Sequence, residues 1–254
     1  MTKIIKSVNE WKLMRKNFRN EERTVGFVPT MGALHKGHES LIRKCVEQND
    51  VSVISIFVNP TQFNDSNDFK NYPIMLDNDL EVLEENRADF LFSPQYKEIY
   101  ADNYNYKVIE NNFSKILCGE FRPGHFEGVL TVVMKLLNII SPEKAYFGEK
   151  DFQQYKLIEQ MCKAFFIDTE IIQCPTVREG DGLAMSSRNL LLTKEERMRA
   201  AEFPRLLLSH KLPNEIKAEL ENSGFKVDYI TEVNGRRFGA VHLGKVRLID
   251  NVPL

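Results

Sequence analysis

His35 and His38 stand three residues apart, with Gly37 between them, in the run Phe27-Val28-Pro29-Thr30-Met31-Gly32-Ala33-Leu34-His35-Lys36-Gly37-His38. Two imidazoles brought together by a turn can donate to the same anionic oxygens. The flanks supply that turn. An apolar run, Val25 to Val28, leads in, and Leu41, Ile42, Cys45 and Val46 leave at helical spacing. The reading is strand, glycine-containing turn, helix. A helix N-terminus offers backbone N–H groups without intrahelical partners and a positive dipole end, so it favours anions such as phosphate. Gly32 and Gly37 lack a Cβ and let the backbone approach a ligand closely.

Four further stretches carry residue types suited to chemistry. In Gly148-Glu149-Lys150-Asp151-Phe152-Gln153-Gln154 a strand gives way to a helix; Lys150 can reach a triphosphate, and Asp151 is placed as an N-cap. Gln154, one turn on, can read hydroxyls or a carboxylate. Asn59 and Gln62 follow an apolar strand; Asn-Pro turn chemistry accounts for Asn59 and leaves Gln62 unexplained. Met185-Ser186-Ser187-Arg188-Asn189 offers two hydroxyls and a guanidinium that can close over phosphates. In Arg122-Pro123-Gly124-His125-Phe126-Glu127-Gly128, His125 is either a first-turn helix residue without chemistry or part of the site. Arg236-Arg237, beside Asn234-Gly235, reads as an exposed hairpin turn rather than a nucleic-acid patch.

The elements that must position these groups alternate. Strands are expected at Thr24–Val28, Val51–Val58, Asp89–Ser93, Lys144–Gly148 and Thr169–Cys174. Helices are expected over Val8–Phe18, from His38 to Asn49, from Pro73 through Leu76, Leu80 and Leu83, over Phe126–Ile140 and over Asp151–Phe165. Strands alternating with helices imply an α/β fold with a parallel sheet covered on both faces, whose ligands bind beyond the carboxyl ends of strands. The turn at His35, Asn59–Phe63 and Gly148–Gln154 all fall at such ends. After Pro175 the pattern becomes that of a small α+β domain, with a capping box at Thr193 and Glu196, a kink or stop at Pro204, a helix over Asn214–Glu221, and short strands at Lys226–Thr231, Ala240–Leu243 and Val246–Ile249.

Composition narrows the classes. The 254 residues are 43% hydrophobic and 28% charged, with a formal charge of −2, so no global basic field draws nucleic acid or anionic lipid. No apolar run approaches the roughly 18 residues that span a bilayer. Met1 to Glu10 has no apolar signal core, and a cytoplasmic location is expected. Cys45, Cys118, Cys162 and Cys174 form no CxxC pair and read as buried thiols.

The His-x-Gly-His element resembles the signature of the nucleotidyltransferase superfamily, whose members act at the α-phosphate of a nucleotide. Five motifs in order extend the likeness: Pro29 to His38, Phe57-Val58-Asn59-Pro60-Thr61-Gln62-Phe63, Arg122 to Val129, Tyr146 to Gln154, and Arg178 to Asn189. Together they resemble the bacterial pantoate–β-alanine ligase (pantothenate synthetase) family, strongly over about 24–195, with a similar ending at Gly244 to Asn251. The resemblance implies a Rossmann-like nucleotide- and pantoate-binding domain over 1–176 and a small C-terminal lid domain over 177–254. It implies ATP-dependent condensation of (R)-pantoate with β-alanine through a pantoyl adenylate, giving pantothenate, AMP and pyrophosphate for coenzyme A biosynthesis. ATP and Mg²⁺ are the implied cosubstrate and metal, and a homodimer is implied; no nucleic acid or membrane partner is. The residues implied to contact ATP are Met31, Gly32, Ala33, Leu34, His35, Lys36, Gly37, His38, Gly148, Glu149, Lys150, Asp151, Val177, Met185, Ser186, Ser187 and Arg188. His38 matches the catalytic acid, with His35, Lys150, Ser186, Ser187 and Arg188 beside it in the phosphate chemistry; Gln62 and Gln154 match the pantoate pair. Two departures stand out. Ile74 follows Pro73 where the family commonly has Arg, and the segment between Arg205 and Phe225 is short.

Other functions are weighed against this one. A nucleotidyltransferase acting on a phosphate ester calls for more Arg or Lys than two neutral amides, a class I aminoacyl-tRNA synthetase needs a basic RNA-binding region, and a nucleotide sensor would bind ATP without turnover.

Overall fold

Every apolar run expected in the first part of the chain becomes a strand of one sheet. The computed structural model describes all residues except Asp65, and all side chains except those of 65–67. The chain divides into two compact units: the first holds Met1–Leu34, His38–Gly148 and Gln153–Cys174, the second His35–Gly37, Glu149–Phe152 and Pro175–Leu254.

In the first unit, β1 (Lys3–Ile5), β2 (Val25–Thr30), β3 (Val51–Ile56), β4 (Phe90–Phe92), β5 (Lys144–Gly148) and β6 (Glu170–Cys174) form a six-stranded sheet in the order β1-β4-β3-β2-β5-β6. All five pairings are parallel. The order reverses between β2 and β5, so Thr30 and Gly148 end the two strands that flank the switch point where such sheets bind ligands. The edge strand β1 is absent from the sequence reading: it has three residues, of which only Ile5 is buried, too few to show a period.

The helices are α1 (Val8–Asn20), α2 (Lys36–Gln48), α3 (Ser66–Lys70), α4 (Leu76–Glu85), α5 (Tyr96–Ile99), α6 (Cys118–Phe121), α7 (His125–Ile140) and α8 (Phe152–Ala164). Leu41, Ile42 and Cys45 of α2 and Leu83 of α4 pack with Val28, Ile54, Leu91 and Tyr146 on one face of the sheet. Phe90, next to Leu91, points to the other face. There the fully buried Trp11 meets it edge-on at 5.7 Å, and its indole donates to the Ile140 carbonyl of α7 at 3.2 Å. Pro73 does not open a helix: α4 starts at Leu76, with Met75 as its N-cap.

The second unit carries α9 (Lys194–Ala200), α10 (Glu202–Leu207), α11 (Pro213–Asn222) and the antiparallel sheet β7 (Lys226–Val233), β8 (Arg236–Leu243) and β9 (Val246–Pro253). The Thr193–Glu196 capping box is formed in both directions. The helical break falls at Ala201, so Pro204 sits in the first turn of α10, where its missing N–H is tolerated. Phe203, Leu207, Ile216 and Leu220 pack against Val241 and Leu248. Asn234 and Gly235 take positive φ of 51° and 74°, as a two-residue hairpin turn requires. The arginines after it are not exposed. Arg237 is 6% accessible; it pairs with Glu232 and donates to the carbonyls of Leu207, Ser209 and Lys211, capping the end of α10. A doublet at a hairpin suggests solvent, but β8 is the central strand of this sheet.

Candidate active site

The turn after β2 is built by a carboxylate outside the five motifs. Thr30 donates its hydroxyl to the Ser55 carbonyl (2.7 Å) and accepts from Gly32 N–H (3.2 Å). Gly32 and Ala33 then both take positive φ, 83° and 51°. Ala33 holds that strained conformation because Asp79 of α4, only 2% accessible, accepts from Ala33 N–H at 3.0 Å and from Leu34 N–H at 2.7 Å. A Cβ on Gly32 would lie 2.9 Å from Asp79 Oδ2, so glycine is required there. Burial pushes the Asp79 carboxyl upward, and the two backbone donors pull the other way. The signal was present: Leu76, Asp79, Leu80 and Leu83 keep helical spacing, with a carboxylate in an apolar stripe. Asp79→Ala leaves two buried donors unpaired and is expected to cost roughly 2 kcal/mol or more in denaturant unfolding; a loss below about 0.5 kcal/mol would show that the turn holds itself.

Within the second unit, Gly37 N–H donates to His35 Nδ1 at 3.1 Å, which fixes the neutral ring with its hydrogen on Nε2. A Cβ on Gly37 would stand 2.9 Å from that nitrogen and 3.7 Å from Met185 Cβ, so the turn and the Met185 loop are neighbours. Burial, then the Lys150 charge, pushes His35 down to about 4, against smaller opposing effects of Asp151 and Glu179. His35 is therefore neutral at pH 7.

Lys150 lies in the 3₁₀ turn Glu149–Asp151, with Nζ 3.7 Å from Asp151 Oδ2. Asp151 closes this turn, pairs with Lys150 and immediately precedes α8, which starts at Phe152. Two residues outside the expected site hold the turn. Asn251 Nδ2 donates to the carbonyls of Glu149 (3.0 Å) and Lys150 (2.9 Å), and Arg236 pairs with Glu149 at 2.7 Å while its guanidinium covers the Phe152 ring at 4.2 Å.

The loop from Val177 to Arg188 is equally tied. Met185 N–H donates to the Val177 carbonyl (3.0 Å), and Arg178 forms a two-pronged pair with the buried Asp250 at 2.6 and 3.0 Å. Asn189 donates to Glu179 at 2.8 Å, and Arg197 bridges Glu179 and Asp181. Ser186 caps the 3₁₀ turn Ser187–Leu191 by accepting from Arg188 N–H at 3.3 Å.

Lys36, exposed, also belongs to the second unit, and the remaining expected residues belong to the first. His38 is the third residue of α2 and half-buried. Gly148 ends β5. Gln154, on the first turn of α8, is half-buried, while its neighbour Gln153 is buried and tied to Phe113, Ile116 and Cys118. Gln62 accepts from Asn59 Nδ2 at 3.0 Å and donates to Met31 Sδ at 3.0 Å, which places it against the signature turn. Asn59 is thus more than a turn residue. It is 1% accessible, and its Oδ1 accepts from the Tyr100 hydroxyl at 2.8 Å. Beyond β3 and β4 a cavity of about 550 Å³ is lined by Met31, Gly32, Phe57, Asp79 and the largely exposed Ile74.

The family model described as pantoate-beta-alanine ligase matches residues 3–253. Pantothenate synthetase of Bdellovibrio bacteriovorus is 55% identical over 254 residues, covering 100% of both chains. That of Legionella pneumophila is 51% identical over 251 residues, covering 99% of each. The crystal structure of pantoate-beta-alanine ligase from Francisella tularensis, complexed with beta-gamma ATP and beta-alanine, superposes with a TM-score of 0.95 at 44% identity, covering 100% of this chain and 98% of that one. Pantothenate synthetase from Thermus thermophilus superposes at 0.89 with 35% identity over 99% of both.

Proposed function

The chain belongs to the pantoate–beta-alanine ligase family, and from that premise we propose how its residues divide the work. The reaction joins pantoate to β-alanine with ATP as cosubstrate and yields pantothenate. A carboxylate does not acylate an amine directly, because oxide or hydroxide is a poor leaving group. Pantoate's carboxylate oxygen attacks the α-phosphorus, and the bond to the bridging oxygen breaks with release of pyrophosphate. The amine of β-alanine then attacks the acyl carbon, loses a proton, and expels AMP.

Charge builds on phosphate oxygens in the first step, and preorganised donors that meet it there lower the barrier. The neighbourhood of His35, Gly37, Lys150 and Met185 carries this reading. His35 Nε2–H is a neutral donor and Lys150 supplies the full charge; His38, Ser186, Ser187 and Arg188 add donors. The ATP contacts comprise these groups with Met31, Gly32, Ala33, Leu34, Lys36, Gly148, Glu149, Asp151 and Val177. Asp79 already accepts the Ala33 and Leu34 N–H groups, so those residues meet the nucleotide through other atoms. Gln62 and Gln154 read pantoate's hydroxyls and carboxylate.

Magnesium enters as Mg-ATP. Mg²⁺ binds mainly through phosphates and waters with one or two carboxylates, and Asp151 beside Lys150 is a carboxylate suited to it. Among the described residues no three His, Cys, Asp or Glu side chains converge as a metal nest. A homodimer follows from the family resemblance, and sedimentation of the purified chain measures it. The four buried cysteine thiols suit the reducing cytoplasm. Burial pushes Cys45 up to about 12 and keeps it unreactive.

The test is product stoichiometry. Pantoate, β-alanine and Mg-ATP should give pantothenate, AMP and pyrophosphate in equal amounts. Formation of ADP, or ATP binding without turnover, contradicts the reading.

A further inference from the structure

We propose that His125 is a positioning residue for pantoate recognition, acting through the backbone and orientation of Gln62; the proposal rests on the reading of Gln62 as a pantoate-binding residue. His125 is the first residue of α7 and 8% accessible. Its Nδ1 lies 2.8 Å from the Gln62 carbonyl oxygen, which can only accept, so Nδ1 carries the hydrogen. Its Nε2 lies 3.0 Å from Arg122 Nη1, which can only donate, so Nε2 is the acceptor. The two partners select one neutral tautomer. A group with one donor and one acceptor at opposite ends of a rigid ring is what this bridge needs, and neutral imidazole supplies it. Arg122 Nη2 reaches the same Gln62 carbonyl at 3.3 Å.

The rest of the Arg122-to-Gly128 motif serves the same end. Gly124 takes φ of +79° where the chain turns into α7. A Cβ on Gly128 would overlap the Thr61 carbonyl, so glycine lets α7 lie against the 3₁₀ turn Pro60–Gln62. The Gly128 carbonyl accepts from Asn59 Nδ2 at 3.2 Å, and that amide also donates to Gln62 Oε1 at 3.0 Å. The N-terminus of α7 thus fixes Gln62 at both ends: the backbone through His125 and Arg122, the side-chain carbonyl through Asn59. With Oε1 engaged, Gln62 turns its NH₂ group toward Met31, whose thioether is a weak acceptor. A hydroxyl or carboxylate oxygen of the substrate is a better partner for that NH₂. His125 touches no reacting atom in this account.

The test compares His125→Ala, His125→Asn, Gln62→Ala and the double variant Gln62→Ala/His125→Ala as full-length enzymes, with KM for pantoate, KM for ATP and kcat measured for each. Asparagine places an N–H near the position of Nδ1–H. His125→Ala should raise KM for pantoate about ten-fold, the effect of one well-placed hydrogen bond. Its KM for ATP should stay within about two-fold, and His125→Asn should recover most of the loss. In the Gln62→Ala background, removal of His125 should add less than about two-fold, because the two act as a unit. Equal rises in both KM values, no recovery with asparagine, or full multiplication of the two effects overturns the proposal. If Gln62→Ala leaves KM for pantoate unchanged, the underlying reading of Gln62 fails; if it raises KM while His125→Ala does not, only the positioning role fails. Should the alanine variant not fold, His125→Phe keeps the volume without ring nitrogens and carries the same expectations.

Discussion

Lys150→Met should lower ATP–pyrophosphate exchange by about 10²–10³ and raise the pKa of His35 in the same protein. The side chain of Lys150 is 19% accessible, so its ammonium acts with little screening from water. Methionine keeps the length and removes the charge. The local fold should survive, because Asn251 and Arg236 hold the turn through the carbonyls of Glu149 and Lys150 and the carboxylate of Glu149, not through Nζ. After burial, the Lys150 charge is the largest influence holding His35 near 4. Its removal should move the His35 midpoint upward toward the ordinary value near 6.5, visible in an imidazole NMR titration. Exchange at the wild-type rate would remove Lys150 from the phosphate chemistry. An unmoved midpoint would mean that the two groups do not share a field. The same shift predicts a stability signature. The unfolded chain takes up a proton near pH 6.5 and the folded chain only near 4, so His35's contribution is present above 6.5 and is lost as pH falls between those values.

His38→Ala should also lower adenylation by about 10²–10³, the usual loss for one transition-state donor, with unfolding near wild type. The residue lies in the first turn of α2, half-buried, at the positive end of the helix dipole, which favours anions. If His38 binds the ground state as tightly as the transition state, KM for ATP rises and kcat holds. A role in the transition state requires the loss in kcat. A variant that adenylates at the wild-type rate removes the role altogether.

The turn that carries the two histidines was legible because an apolar run leads into it and a helical pattern leaves it, yet the surroundings of the side chains were not. That His35 is neutral, with its hydrogen on Nε2, depends on the Gly37 N–H and on Lys150, more than a hundred positions away in the chain. The parallel sheet was legible because Val51 to Ile56 and Lys144 to Gly148 are short apolar runs bounded by turn residues. β1 was not, because a three-residue edge strand has no period. The residues that hold these turns were the hardest to see. Asp79, Asn251 and Arg236 each make their decisive bonds to the backbone or to a carboxylate far along the chain, and no local pattern records a long-range partner.

The central claim is that activation of pantoate at phosphorus is complete before β-alanine takes part. The groups proposed to face the phosphates are histidine, lysine, serine and arginine side chains, and no separate base is needed for an amine that attacks an acyl adenylate. The direct measurement mixes the enzyme with Mg-ATP, pantoate and labelled pyrophosphate, and leaves β-alanine out. Label should enter ATP at a rate that depends on pantoate, and an acid-labile pantoyl adenylate should be trapped. Exchange that begins only when β-alanine is added, under conditions where pyrophosphate is shown to dissociate freely, would contradict the two-step account.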